Sequence, residues 1–168
     1  ASDILHKTGK GLVYLDLTSA DAVVDSYRRI QEAAQKKVPV ILCRMVPGNR
    51  EFVAGIVRAS GFTPAVMFGL GGIFTEALGD TVFRPAPLST NDATEMIHEI
   101  KSRKLLTAFR GMPAIDIESL SGLLHRLSLI PLMHPEVSEI DINPIIIENS
   151  APVAVDALVM FQNERKRA

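Results

Sequence analysis

Two groups of residues in this chain have the types and spacing to do chemistry. The first is Glu139, Asp141 and Asn143, set every second residue among isoleucines in Glu139-Ile140-Asp141-Ile142-Asn143-Pro144-Ile145-Ile146-Ile147. That alternation is the period of a β-strand, so the polar side chains share one face and the isoleucines the other. Pro144 has no backbone donor, which predicts that the strand lies at a sheet edge or leaves the sheet there. Glu148-Asn149-Ser150 reads as a turn and residues 152–158 as the returning strand of a hairpin, which brings Asp156 beside Asn143. A carboxylate and an amide oxygen, with Asp141 nearby, form an oxygen-only set. Hard cations such as Mg²⁺ take such sets and complete them with water and phosphate oxygens. Acidic residues on one strand face also make an ordinary solvated face, and residue types alone leave both readings open.

The second group is Phe68-Gly69-Leu70-Gly71-Gly72, directly after a predicted strand. Exposed backbone N–H groups in a glycine-rich loop can cradle a phosphate. The spacing is neither that of a Walker A loop nor that of the dinucleotide fingerprint, and a tight turn explains it as well. Arg84, further on, can meet a phosphate or pair with an acid. Near the start, His6 sits in Asp3-Ile4-Leu5-His6-Lys7-Thr8. A neutral imidazole is nucleophilic near pH 7 and forms a labile phosphoramidate. A histidine near a terminus is also a common exposed bystander.

The elements that must position these residues mix strands and helices. Residues 12–17 alternate and predict a strand. Thr18 offers an N-cap to an amphipathic helix over about 20–35, with Val23, Tyr27, Ile30 and Ala34 at helical spacing. Residues 38–46 predict a buried strand that forms a hairpin with 50–58. Further strands are predicted over 64–68 and 81–84. A helix capped by Thr90 or Asn91 runs to about Ile100, and another starts near Asp116. Ile117, Leu120, Leu124 and Leu127 form the buried stripe of that second helix, which Pro131 or His134-Pro135 ends. Short turns between neighbouring strands, without strict βαβ alternation, predict an α+β fold with a mainly antiparallel sheet packed with helices. The 168 residues read as a single domain.

Composition excludes several classes. Hydrophobic residues are 47% and charged residues 22%, a globular and not a disordered balance. A net charge of −1 gives no electrostatic reason for a nucleic-acid partner. The apolar runs are too short to span a bilayer and no signal peptide is visible. The single Cys43 excludes an internal disulfide and fits a reducing, cytoplasmic setting. The four histidines have no zinc-ligand spacing.

Several motifs together resemble the ATP-grasp domain of the nucleoside-diphosphate-forming acyl-CoA synthetases, the ADP-forming acetyl-CoA synthetase β-subunit type with succinyl-CoA synthetase as a more distant relative. They are Asp-Ile-Asn-Pro at 141–144 followed by Val-Asp-Ala at 155–157, the run VMFGLGGIFTEALGDTVFRPAPL at 66–88, Asp3-Ile4-Leu5-His6-Lys7-Thr8, and Arg50-Glu51. The resemblance extends from Asp3 to about Phe161. It implies an ATP-grasp-like fold truncated at its N-terminus, with Mg²⁺ and ATP/ADP as cofactors. It assigns Asn143 and Asp156 to the metal, and His6 to carrying phosphate with Asp141 close to it. Met45, Val46, Glu51, Gly71, Gly72 and Arg84 fall to nucleotide contacts, and Glu76 and Asp80 also match. The partner it implies is the CoA-binding domain or α subunit of the same synthetase.

The chain departs from the family at Lys10-Gly11-Leu12-Val13, at Cys43-Arg44 and at Arg58-Ala59-Ser60. Those departures fit a rival: a synthetase-like regulatory module fused to a GNAT-type protein lysine acetyltransferase, with catalysis lost. Retention of His6, Asp141, Asn143 and Asp156 fits the enzyme.

Overall fold

The structure, a computed structural model, describes residues 12–59, 61–72 and 78–162. The chain divides into two compact units, Ala1–Met45 and Val46–Ala168.

The first unit is built on helix α1, Ala20–Ala34. Its N-cap is Ser19, one residue later than the predicted Thr18, and the Ser19 side chain accepts from the Ala22 N–H at 3.1 Å. The helix stops at Gln35, which adopts a left-handed conformation with φ 52°. Gln31 then clasps the departing chain: its amide nitrogen donates to Val38 O and its amide oxygen accepts from Val38 N, both at 2.9 Å. The strands predicted over 12–17 and 38–46 do not form among the described residues. Alternation supplies a tendency to extend, but a strand exists only as a paired ladder. Here Leu15, Ile41 and Leu42 stay exposed.

The second unit holds a six-stranded antiparallel sheet in the order β3-β2-β1-β4-β5, with β6 also on β4. The strands are β1 Glu51–Val57, β2 Ala65–Leu70, β3 Thr81–Pro85, β4 Val137–Glu148, β5 Ala151–Ala154 and β6 Ala157–Phe161. Both edges of β1 are occupied, by β2 and β4, so the predicted 38–46/50–58 hairpin has no place. Helices α2, Thr90–Glu99, and α3, Ile117–Met133, cover one face. Phe52, Ala54 and Ile56 of β1, Val66 and Phe68 of β2, and Ile140 and Ile145 of β4 meet Met96, Ile97, Leu120 and Leu124 there. The Phe52 and Phe68 rings stack with centroids 5.5 Å apart. Each such fully buried side chain contributes roughly 1.5–3 kcal/mol. Ser89 and Asp92 form a reciprocal capping box on α2, and Asp116 caps α3. Pro131 does not end α3. It sits inside the last turns, and the helix ends at His134. Arg58 reaches the carbonyls of Pro131 and Val137 at 3.0 and 3.3 Å, a cation at a helix C-terminus.

Two buried charged residues secure the loops. Arg50 donates to the carbonyls of Leu105, Thr107 and Pro113 at 3.1, 3.4 and 2.7 Å, and burial depresses its pKa. Asp80 accepts the N–H groups of Lys101 and Ser102 at 2.7 and 2.8 Å. No helix among the described residues is long and apolar enough to cross a membrane.

Candidate functional site

Strand β4 carries the polar face predicted for it, but it is interior, between β1 and the β5/β6 pair, and not at an edge. Pro144 is tolerated because the ladder lapses around it. Phe52 pairs with Ile145 and Ala54 with Ile142, so Val53 alone faces both Asn143 and Pro144. That extra residue is a β-bulge, and it shifts the alternation by one. Before it, Ile140 and Ile142 point to the helices; after it, Ile145 and Ile147 do. On its other side β4 exchanges partners at the same point, from β6 at Ile142–Ala157 to β5 at Ile145–Ala154. The returning segment is therefore two strands with a break at 155–156.

The break places the first group of residues together. The Asn143 N–H donates to Asp156 O at 3.1 Å, and the Val155 N–H donates to Pro144 O at 3.0 Å. Asp156 Oδ1 accepts from the Ala157 N–H at 3.0 Å, and both Asn143 and Asp156 are exposed. Asp141, two residues back on the same face, is partly buried and lies opposite Gly55 and Leu158. Burial, and then the negative charge of Asp156, push the Asp141 carboxyl above its ordinary range. Two carboxylates that feel one another suit a hard cation. Among the described residues no three His, Cys, Asp or Glu side chains gather as a metal cage.

The glycine loop meets the start of β1. The Gly71 N–H donates to Glu51 O at 2.8 Å. A Cβ on Gly71 would lie 2.9 Å from the carbonyl carbon and oxygen of Phe52. Gly72 has φ +75°, and a Cβ there would lie 3.1 Å from Glu51 Oε2. Glu51, Gly71 and Gly72 are thus one local assembly, and Glu51 shares with Asp141 the sheet face away from the helices.

Arg84 is not brought to these residues. It pairs with Val66 on the helix side and forms an ion pair with Glu99 of α2, the acid-pairing alternative of the two read from sequence. Asp80 is likewise held by backbone groups. In the first unit, Met45 lines an open hollow of about 580 Å³ together with Leu17, Val23, Leu42 and Arg44. Val46, in the second unit, is buried, so only its backbone is suited to a ligand contact. His6 and Glu76 lie outside the described residues.

Sequence reasoning missed the structural weight of Arg50, because nothing in residue type separates a buried arginine from a surface one. Its position just before the alternating, apolar β1 was the available signal.

The family described as "ATP-grasp domain" matches residues 1–161. The chain belongs to the ATP-grasp family. This ATP-grasp chain is 41% identical over 164 residues to the β subunit of the ADP-forming acetate–CoA ligase I of Pyrococcus furiosus, covering 94% of this chain and 71% of that one. It is 34% identical to the ADP-forming acetate–CoA ligase I of Archaeoglobus fulgidus, covering 96% of this chain and 24% of that protein. Among solved structures it is similar to the acetyl-coenzyme A synthetase 1 of Ca. Korarchaeum cryptofilum, with a TM-score of 0.82 and 40% identity over 96% of this chain and 73% of that one. That synthetase is in complex with coenzyme A and Mg-AMPPCP, its phosphohistidine segment pointing towards the nucleotide-binding site. The relatives are acid–thiol ligases, and ATP-grasp domains use Mg²⁺ with ATP or ADP. The antiparallel sheet with helices is the ATP-grasp architecture.

Proposed function

We propose that this ATP-grasp domain serves an ADP-forming acyl-CoA synthetase, in which acyl-CoA, ADP and phosphate interconvert with carboxylic acid, ATP and CoA. Asn143 and Asp156 would hold Mg²⁺, and the backbone at Val46 and the Gly71–Gly72 turn would serve the nucleotide. Bound Mg²⁺ neutralises charge on the phosphates during transfer. The observation that carries the reading is the hydrogen bond from Asn143 N to Asp156 O, with Asp141 electrostatically coupled to Asp156.

His6 carries the phosphoryl group. Its N–P bond breaks as a bond forms from phosphorus to the terminal oxygen of ADP, and the imidazole is left neutral. Asp141, on the same strand face as Asn143, is the acid assigned to assist this transfer. The CoA-binding part, in the same chain or a separate α subunit, supplies the acyl phosphate, and the whole works in the cytoplasm. Relatives that are ligases favour this reading over the acetyltransferase-linked regulatory one.

The test is phosphoryl transfer from γ-labelled ATP in the full-length protein. An acid-labile, base-stable label that requires Mg²⁺, vanishes in His6→Ala and falls steeply in Asp141→Asn supports it. A native protein that binds nucleotide and takes no label contradicts the carrier role.

A further inference from the structure

The loop between α2 and α3 carries charge that the site above does not use. Lys101, Arg103, Lys104 and Arg110 fall there, with no acid between Glu99 and Asp116, in a chain whose net charge is −1. The loop is therefore a local positive exception. It is also held at both ends. Asp80 accepts the N–H groups of Lys101 and Ser102, and Arg50 donates to the carbonyls of Leu105, Thr107 and Pro113. Within the loop Phe109 and Met112 close a two-residue turn, their N–H groups donating to each other's carbonyls at 3.0 and 2.9 Å. Both central residues are left-handed, Arg110 with φ 47° and Gly111 with φ 80°. Such a turn favours Asn, Asp or Gly at its first central position, and arginine is strained there. The needs of the turn therefore do not explain an arginine at its tip. The Arg110 guanidinium stands 5.3 Å from the centroid of the Phe109 ring, which orients it without neutralising its charge. Arg103, Lys104 and Arg110 are exposed and form no ion pair among the described residues.

We propose that this loop docks on a carboxylate-bearing surface of the CoA-binding part, with Arg110 as the anchor. The inference rests on the partner reading above, in which that part works beside this domain. An extended polyanion fits less well, because the rest of the chain is net negative and repels it. A carboxylate patch no larger than the loop meets only the cations. An arginine presented on a preformed turn can pair with both oxygens of one carboxylate and loses little freedom on binding. Phe109, 44% exposed, adds apolar area at the same spot.

The experiment uses the full-length protein, with the CoA-binding subunit where that is a separate chain. Arg110→Lys keeps the charge and supplies an amine, which a carbodiimide joins to a carboxylate in contact with it. Mass spectrometry of the digest then locates the joined acid. The acid is expected in the CoA-binding part, with a yield at about 0.05 M salt that falls about tenfold at about 0.5 M. Arg110→Asn, whose side chain suits the left-handed turn, is expected to melt no lower than the native protein. It keeps Mg-ADP and CoA affinity within about twofold and slows acyl-CoA formation about tenfold. A cross-link to a second copy of this chain, or to no acid at all, overturns the proposal. So does a native rate in Arg110→Asn. An Arg110→Asn protein that loses Mg-ADP or CoA affinity as steeply as rate also overturns it, since Arg110 then holds a phosphate. A full-length protein with no CoA-binding part, fused or copurifying, sinks the partner reading itself. That result is distinct from a protein that has the part and leaves the Arg110→Lys amine unjoined.

Discussion

The backbone N–H of Asn143 donates to the carbonyl oxygen of Asp156 at 3.1 Å, where β4 passes from β6 to β5. The main chain, and not the two side chains, therefore holds the proposed metal ligands together. Asn143→Ala and Asp156→Ala are expected to fold normally. The second loses only the Oδ1 contact to the Ala157 N–H, an exposed bond worth about 1 kcal/mol or less. Thermal melting without ligand should show midpoints within about 4 °C of the native protein.

Arg50 should behave in the opposite way. Its guanidinium is buried on three carbonyls contributed by the 105–113 segment, so truncation leaves buried acceptors unpaired. Arg50→Ala is predicted to cost about 3 kcal/mol or more in a denaturant titration. Arg50→Lys should recover only part of it, because a single ammonium cannot reproduce the forked geometry. A neutral Arg50→Ala would mean that the loop is held by other contacts.

Asp80 sets an acid-sensitive contribution. Burial alone would raise its carboxyl, but hydrogen bonds from Ser102 and Lys101, with the charge of Lys101, outweigh this and hold it below the usual range. A folded-state pKa lower than the unfolded one means that the ionised form stabilises the fold. That contribution is present above the unfolded value of about 3.9 and disappears as pH falls through the depressed folded value. Asp80→Asn should lower stability at neutral pH by about 2 kcal/mol and flatten the acid limb below about pH 4. Denaturation curves from pH 2 to 7 measure both, and an unchanged acid limb would contradict the assignment.

What was legible in the sequence followed local rules. The alternation around Asp141, the stripe of Leu120, Leu124 and Leu127, and the helix start near Asp116 each follow from a local pattern, and each is present. The nearness of Asp156 to Asn143 was readable too, because a hairpin fixes register at short range. Pro144 misled in part: the missing donor was real, but a bulge absorbed it inside the sheet instead of at an edge. Residues 12–17 and 38–46 alternate convincingly and yet form no ladder among the described residues, since pairing depends on a partner that pattern cannot supply. Arg84 and Arg50 show the same boundary for side chains. Whether an arginine meets Glu99, three carbonyls or a phosphate depends on contacts distant in sequence.

A Mg²⁺-dependent nucleotide site on Asn143 and Asp156 is best tested by calorimetric titration of ADP into the full-length protein. The titration compares the native protein with Asp156→Ala, each with Mg²⁺ and with chelator. Native binding that requires Mg²⁺, together with an Asp156→Ala protein that melts normally but binds at least tenfold more weakly, is the predicted result. Native-like Mg-ADP affinity in Asp156→Ala, or binding indifferent to Mg²⁺, would contradict it.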